Sequence, residues 1–348
     1  MANKSYKIAV IPGDGIGPEV TNVAFEVLQK VAKRHNVTYL ERVFPFGGEH
    51  YLRTGEVLSN DSITELKKYD VIYLGAVGSP KVKPGILEKG ILLNIRFSLD
   101  QYINLRPVKL YPGVETPIKD KTTADIDFVV VRENSGGLYS GIGGIMMKGT
   151  QDEIAINSKV YNYKQVARCV RYAFEIAKNR PRKLIALIGK TNVLTYVFDL
   201  WERVYNEIGS TEFPEVKREY YHVDAACMHM IKNPEKFDVM VTTNMFGDII
   251  TDIGAVIQGG MGMAASGNLN PCRTAPSMFE PVHGSAPDIA GQNKANPIAA
   301  IMTMKMMLEF LGEKSAGNDI ERALNVVTPM NLERMTTKDI TKAILENI

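Results

Sequence analysis

The chain has 348 residues, 45% of them hydrophobic and 23% charged, with a formal net charge of +2. This supplies core for two domains or one large α/β unit and excludes a largely disordered or collagenous chain. Acidic and basic residues are interspersed, so neither a basic stripe for nucleic acid nor a polybasic patch for a membrane surface is expected. Cys169, Cys227 and Cys272 are far apart without CxxC spacing and read as packing residues in a reducing compartment. Residues 1–5 run toward a strand with no apolar signal region, and no run is long and apolar enough to span a bilayer, so cytoplasmic residence is the expectation.

In chain order, residues 6–11 predict a short buried strand. Pro12-Gly13-Asp14-Gly15-Ile16-Gly17-Pro18 then turns the chain into a helix over 18–34, with Pro18 suited to its first turn. A dinucleotide fingerprint GxGxxG would need glycine where Pro18 stands, so a conventional Rossmann turn is rejected. Buried-type strands are predicted at 71–74, 128–131, 184–188 and 239–242, alternating with helices at 163–178 and 193–207, which makes the class α/β. The glycine-rich stretch 136–149 and the alternating residues 153–157 suit a hairpin or arm that could pair subunits. After Pro297, Met302, Met306, Leu308 and Leu311 recur at helical spacing and read as core filler.

The chemistry concentrates in short motifs. Asn244-Met245-Phe246-Gly247-Asp248-Ile249-Ile250-Thr251-Asp252 places two carboxylates four residues apart on a helix start, on one face. Such oxygen donors suit Mg²⁺ or Mn²⁺; the alternative is that Asp248 caps the helix and Asp252 is a solvated first-turn acid. Ile249, Ile250, Ile253 and Val256 predict a largely buried helix on which unpaired acids would be costly. Arg96, Arg106 and Arg132 are apt for bidentate capture of carboxylates, or for structural ion pairs, Arg132 beside Glu133 above all. Tyr139 lies in a glycine-rich segment as a candidate proton donor or a packing residue. Lys190 follows a strand directly, where α/β ligand sites form. Asp224 offers a third metal oxygen or a helix cap, and residues 280–288 form a rigid, small-residue loop that a ligand can approach closely.

These residues resemble a known family over essentially the whole chain: the β-hydroxyacid oxidative decarboxylases, which include isopropylmalate, isocitrate, homoisocitrate and D-malate or tartrate dehydrogenases. The resemblance rests on GDGIGPEV at 13–20, LGAVG at 74–78, NLRP at 104–107, VVREN at 130–134, FGDIITD at 246–252 and EPVHGSAPDIAG at 280–291. It implies two α/β domains sharing a continuous mixed sheet, with a discontinuous cofactor domain of residues 1–101 and 259–348. The substrate and dimerisation domain is 102–258, with an arm around 136–160. Arg96, Arg106 and Arg132 are implied to bind two substrate carboxylates. Asp248, Asp252 and a neighbouring subunit's Asp224 are implied to hold Mg²⁺ or Mn²⁺, with Asp224 also at the substrate. Lys190, again from the neighbour, is implied as base toward the substrate hydroxyl and Tyr139 as proton donor to the enol left after CO₂ departs. The enzyme is therefore expected to be a homodimer with shared active sites.

The resemblance also implies that the dinucleotide is held by Ile16, by Gly75, Ala76, Val77 and Gly78, by Glu280, and by the loop His283, Gly284, Ser285, Ala286, Pro287, Asp288 to Asn296. Asp288 can accept from ribose hydroxyls and repels a 2′-phosphate, so the expected cofactor is NAD⁺; NADP-dependent relatives resemble this region with Lys and Tyr in place of Asp288 and Ile289. The resemblance implies a 2-hydroxy dicarboxylate as substrate. Ile91, Leu92 and Leu93 ahead of Arg96, with Asn192 and Val193 after Lys190, imply an apolar substituent and hence 3-isopropylmalate and leucine biosynthesis. Residues 90–93, Asn104 and Arg132-Glu133-Asn134 also resemble D-malate and tartrate enzymes, the alternative substrates. A catalytically silent regulatory subunit is a further alternative, opposed by the presence of every metal and base residue.

Overall fold

The computed structural model describes residues 5–348, and the expected run of residues 1–4 into a strand lies outside them. In chain order it contains β1 (Ser5–Gly13), α1 (Gly17–His35), β2 (Thr38–Val43), α2 (Gly48–Thr54), α3 (Asn60–Leu66), β3 (Val71–Ala76) and, after a π-helical turn at Glu88–Leu93, α4 (Asn94–Ser98). Next come β4 (Ile103–Lys109), β5 (Asp127–Glu133), a hairpin of β6 (Gly143–Met146) and β7 (Ile154–Asn157), α5 (Tyr163–Asn179), β8 (Leu184–Gly189), α6 (Thr195–Thr211), β9 (Lys217–His222) and α7 (Val223–Lys232). The last elements are β10 (Val239–Thr242), α8 (Asn244–Ile257), β11 (Ala265–Leu269), β12 (Ser277–Pro281), α9 (Ile298–Leu311), α10 (Lys314–Val327) and α11 (Thr337–Asn347). The class is α/β, as the alternation of short buried strands and amphipathic helices predicts.

The chain forms two compact units. The first takes the chain up to Gln101 together with Lys109–Thr123 and Ala255–Ile348; the second takes Tyr102–Val108 and Ala124–Gly254. Lys109–Thr123 and residues 255–258 thus fall in the first unit, although the sequence reading put them in the second. The reason is a partly buried ionic knot: the Lys109 ammonium and the Tyr111 hydroxyl, at 2.8 Å, both donate to Glu321 on α10, and Lys305 on α9 reaches the same carboxylate at 3.1 Å. Burial raises the Glu321 pKa, but the Lys305 charge and the Lys109 and Tyr111 hydrogen bonds outweigh it and hold the group at about 2.

Within the first unit the strand order is β2-β1-β3-β12-β11, parallel except for the antiparallel pair β11 and β12. Ile72, Leu74, Ala9 and Ile11 meet Phe44, Phe46, Leu66 and Ile91 in one fully apolar cluster. The methionines of α9 are filler, as expected: Met302, Met304, Met306 and Met307 are all buried. In the second unit the order is β4-β5-β10-β8-β9, with β5, β10, β8 and β9 parallel. Parallel pairing aligns the carboxyl ends of these strands, where α/β ligand sites form.

Several sequence expectations need correction. The α6 helix begins at Thr195 rather than 193, because Val193 and Leu194 donate back to Lys190 O at 3.2 and 2.9 Å and close a turn that leaves Lys190, Asn192 and Val193 on a loop. Cys272 is exposed, so the packing reading does not hold for it, whereas Cys169 is buried. The α8 helix is buried on one face only: Ile250 is fully buried, but Met245, Ile249 and Val256 are 37%, 47% and 54% exposed. No helix among the described residues is long and apolar enough to cross a membrane.

Candidate active site

In the second unit, β5 pairs with β10 so that Thr242 faces Arg132, and the chain turns from Thr242 directly into α8. This register, set by two runs of buried β-branched residues, brings Arg132 against the start of α8. Arg132 is 1% exposed. Its Nε and Nη2 donate to Asn244 Oδ1 at 3.0 and 2.7 Å, and its Nη1 donates to Asp248 Oδ1. Gly247 is there for clearance rather than flexibility, since a Cβ on it would come within 2.5 Å of the Arg132 side chain. Arg106 on β4 donates to Thr251 Oγ1 at 2.6 Å and lies 3.6 Å from Asp248 Oδ1. Tyr139, on the 3₁₀ turn Leu138–Ser140, donates to Asp248 Oδ2 at 2.6 Å and carries the Arg132 guanidinium over its ring at 5.3 Å. Arg106, Arg132, Tyr139 and Asp248 therefore converge.

Asp248 is the fifth residue of α8 and does not cap it. Asp252, one turn on, is exposed, and its pKa is raised by burial of part of the carboxyl and by the charge of Asp248. Two acids in repulsion on one helix face, offering oxygen donors only, fit a hard divalent cation, which would relieve that repulsion. Asp224 is not with them. It is the second residue of α7, 64% exposed at its side chain, and it accepts from Lys190 Nζ at 2.7 Å. That hydrogen bond holds its carboxyl below the usual carboxylate range. Gly189 faces His222 across β8 and β9, so Lys190 and Asp224 leave adjacent strand ends together. No group of three acid, histidine or cysteine side chains able to hold a metal is formed among the described residues.

Sequence reasoning missed four supports. Asn244 gathers Arg132, donates through Nδ2 to Gly136 O at 3.2 Å, and donates through its backbone N–H to the Tyr161 hydroxyl at 2.9 Å. Glu133, fully buried, does not pair with Arg132; it accepts from Ser135 N, Ser135 Oγ and Gly136 N at 2.8, 2.5 and 2.9 Å and so fastens the loop leading to Tyr139. Burial pushes its carboxyl upward. Thr251 holds Arg106, and Arg168 donates to Ser135 Oγ at 3.1 Å. Only position offered a signal, since Asn244, Glu133 and Thr251 all lie inside the motifs.

In the first unit, Arg96 on α4 is 8% exposed and donates through Nη2 to Glu280 Oε1 at 2.9 Å, an oxygen that also accepts from Asn268 Nδ2 at 2.8 Å. Arg96 Nε is buried without a partner. Leu92 and Leu93 sit half-buried on the π-helical turn before it, while Ile91 is fully buried in the core cluster. The turn Gly13 to Gly17, the segment Gly75 to Gly78 and the loop from His283 are interwoven. Asp14 N donates to Ala76 O at 2.7 Å, Asp14 Oδ1 and Oδ2 accept from Gly48 N and Gly78 N, and Ile16 N donates to Ser285 O at 2.8 Å. A Cβ on Gly15 would sit 1.9 Å from Ser285 O, and Gly15 has φ +58°, so both space and conformation require glycine. His283 Nε2 is buried without a partner, Asp288 is exposed, and Ala286 is held at φ +36°. A backbone cradle of glycines with an orphaned imidazole nitrogen and a free carboxylate fits an adenosine dinucleotide, held without a GxGxxG turn.

The family model for isocitrate/isopropylmalate dehydrogenase matches residues 7–347. Similar sequences include a 3-isopropylmalate dehydrogenase of Thermobifida fusca (strain YX), 52% identical over 93% of this chain and 91% of that protein. A 3-isopropylmalate dehydrogenase of Streptomyces coelicolor is 48% identical over 93% and 92%. The crystal structure of isocitrate dehydrogenase from Methylococcus capsulatus superposes with a TM-score of 0.86 at 32% identity, covering 98% of this chain and 99% of that one. With the family model spanning almost its full length and close relatives along it, the chain belongs to the isocitrate/isopropylmalate dehydrogenase family of oxidoreductases.

Proposed function

We propose that the chain catalyses NAD-dependent oxidative decarboxylation of (2R,3S)-3-isopropylmalate to 2-oxo-4-methylpentanoate in leucine biosynthesis, with Mg²⁺ or Mn²⁺, as a cytoplasmic homodimer with shared active sites. The observation that carries this reading is the convergence of Arg106, Arg132 and Tyr139 on Asp248. Two guanidiniums and a phenol directed at one point form a cationic, hydrogen-bond-donating cluster suited to the bidentate capture of a substrate carboxylate. Relatives about half identical to this chain carry the same substrate in their names.

Asp248 and Asp252, with Asp224 of a second copy, would hold the cation. Bound there, the cation would supply a Lewis acid for the oxygen on the carbon being oxidised, and NAD⁺ would supply the hydride acceptor. Arg96, Arg106 and Arg132 orient the two substrate carboxylates. Lys190, beside Asp224, takes the hydroxyl proton, and Tyr139 delivers a proton to the carbon from which CO₂ has left. Leu92, Leu93, Asn192 and Val193 meet the isopropyl group. Dimer formation is supported by apolar side chains left in solvent: Ile145, Met146, Ile154 and Ile156 on the hairpin and Met228, Ile231, Ile249 and Val256 on α7 and α8, each 47% exposed or more.

The test is a reaction of 3-isopropylmalate with NAD⁺ followed for both NADH and CO₂. Equimolar formation of the two, abolished by EDTA and restored by Mg²⁺ or Mn²⁺, is the expected result; NADH without CO₂, or activity indifferent to chelation, would refute it. For the cofactor, Asp288→Lys is expected to lower kcat/KM for NAD⁺ and raise it for NADP⁺, shifting the ratio by at least about 10-fold, or about 1.4 kcal/mol. An unchanged ratio removes Asp288 from cofactor choice.

A further inference from the structure

Lys159, on the segment returning from β7 to α5, has no part in the chemistry above. Its Nζ lies 4.7 Å from the ring centroid of Phe198 and 4.2 Å from that of Phe246, two rings stacked at 5.8 Å, and it donates to Thr243 Oγ1 at 3.2 Å. The next two residues back the loop that carries Tyr139. Val160 O accepts from Gly137 N at 2.9 Å, and the Tyr161 hydroxyl accepts from Asn244 N at 2.9 Å, with its ring so close to Gly136 that a Cβ there would meet it at 2.9 Å. Lys159 and Tyr161 therefore touch Thr243, Asn244 and Phe246, where α8 begins, while Val160 between them holds Gly137.

Among the described residues no carboxylate pairs with this ammonium. On α6, Asp199 next to Phe198 pairs with Arg203; on α8, Asp248 is engaged by Arg132, Arg106 and Tyr139; and burial holds the neighbouring Tyr161 phenol protonated. Burial pushes the Lys159 amine down to about 8. The positive end of the α8 dipole adds to the cost of a cation there. A side chain that charges against its surroundings is not explained by stability.

We propose that Lys159 is a positioning residue: its ammonium, seated on Phe198, Phe246 and Thr243, fixes the first turn of α8 and so the direction in which Asp248 and Asp252 are presented. The proposal rests on reading those two acids as the metal-binding pair. Cation–π attraction to two faces is directional, and an apolar chain of equal length cannot reproduce it.

The experiment compares the full chain with Lys159→Met and Lys159→Arg by thermal unfolding between about pH 7 and pH 10, Mn²⁺ titration calorimetry and kcat/KM. Because the folded pKa is about 8 against an ordinary 10.5, the charged form is penalised on folding. The penalty is full below pH 8 and vanishes as pH rises through 10.5. Lys159→Met is thus expected to melt higher than the parent at pH 7, with the gap closing toward pH 10. It should also bind Mn²⁺ more weakly and lose roughly 10- to 100-fold in kcat/KM, the scale of a small misplacement of reacting groups. Lys159→Arg should restore most of both. A Met variant with the parent's Mn²⁺ affinity and kcat/KM overturns the proposal, and so does one that is less stable than the parent with no rescue by Arg. If the parent shows no dehydrogenase activity the catalytic reading fails by itself, while Mn²⁺ binding and unfolding still decide the role of Lys159.

Discussion

Lys190→Ala is expected to lower kcat by about 10²- to 10⁴-fold, the range of a lost general base, while leaving the melting temperature nearly unchanged. The expectation follows from where the side chain stands. It leaves the carboxyl end of β8 next to the start of α7, and its amine reaches Asp224 at 2.7 Å with side-chain exposures of 24% and 64%. An ion pair so open to water is screened and adds little to stability, so its loss is not expected to unfold the unit. In the proposed reaction its value would be chemical: the Lys190 hydrogen bond holds the Asp224 carboxyl below the usual range, and the pair would present the amine to the substrate hydroxyl. Steady-state kinetics beside thermal unfolding measure both halves. A kcat within a factor of a few of the parent would remove Lys190 from the reaction.

Arg132→Lys is expected to reduce kcat/KM by roughly 10²- to 10³-fold, corresponding to about 3–4 kcal/mol, and also to destabilise the protein. Unlike Lys190, Arg132 is buried, and its planar fork meets Asn244 on one edge and Asp248 on the other. A lysine retains the charge but cannot reach both acceptors. Asn244 Oδ1 would be left unpaired in a dry site at a cost of about 1–3 kcal/mol. The loss should reach the Tyr139 loop as well, because Asn244 also holds Gly136 O. Denaturant unfolding together with kcat/KM reports the two effects, and a stable variant with parental kcat/KM would contradict the assignment.

The contrast between these residues shows what was legible in the sequence. Strand ends could be read because the physics is local, but the reason for the glycines could not, since a Cβ on Gly13, Gly15 or Gly247 would strike Ala76, Ser285 or Arg132, all distant in sequence. The identity of Asp248, Asp252 and the three arginines as site candidates followed from spacing and from the family's motifs. Their wiring did not follow. That Asn244 rather than Glu133 holds Arg132 depends on the register of β5 against β10, a long-range pairing that no local pattern specifies. The open face of α8 was misjudged because apolar residues at 249, 253 and 256 look the same whether they enter a core or await another surface. The placement of Lys109–Thr123 depended on the Lys109 ion pair and the Tyr111 hydrogen bond to Glu321 on α10, some 200 residues away.

Whether the protein is a metal-dependent decarboxylating dehydrogenase selective for an apolar substituent is decided by relative kcat/KM on 3-isopropylmalate, D-malate, tartrate and isocitrate with NAD⁺ and Mn²⁺. The expected result is a clear preference for 3-isopropylmalate, set by Leu92, Leu93 and Val193. A preference for D-malate would contradict the substrate assignment while keeping the catalytic residues, and turnover of none of the four would contradict the proposed activity.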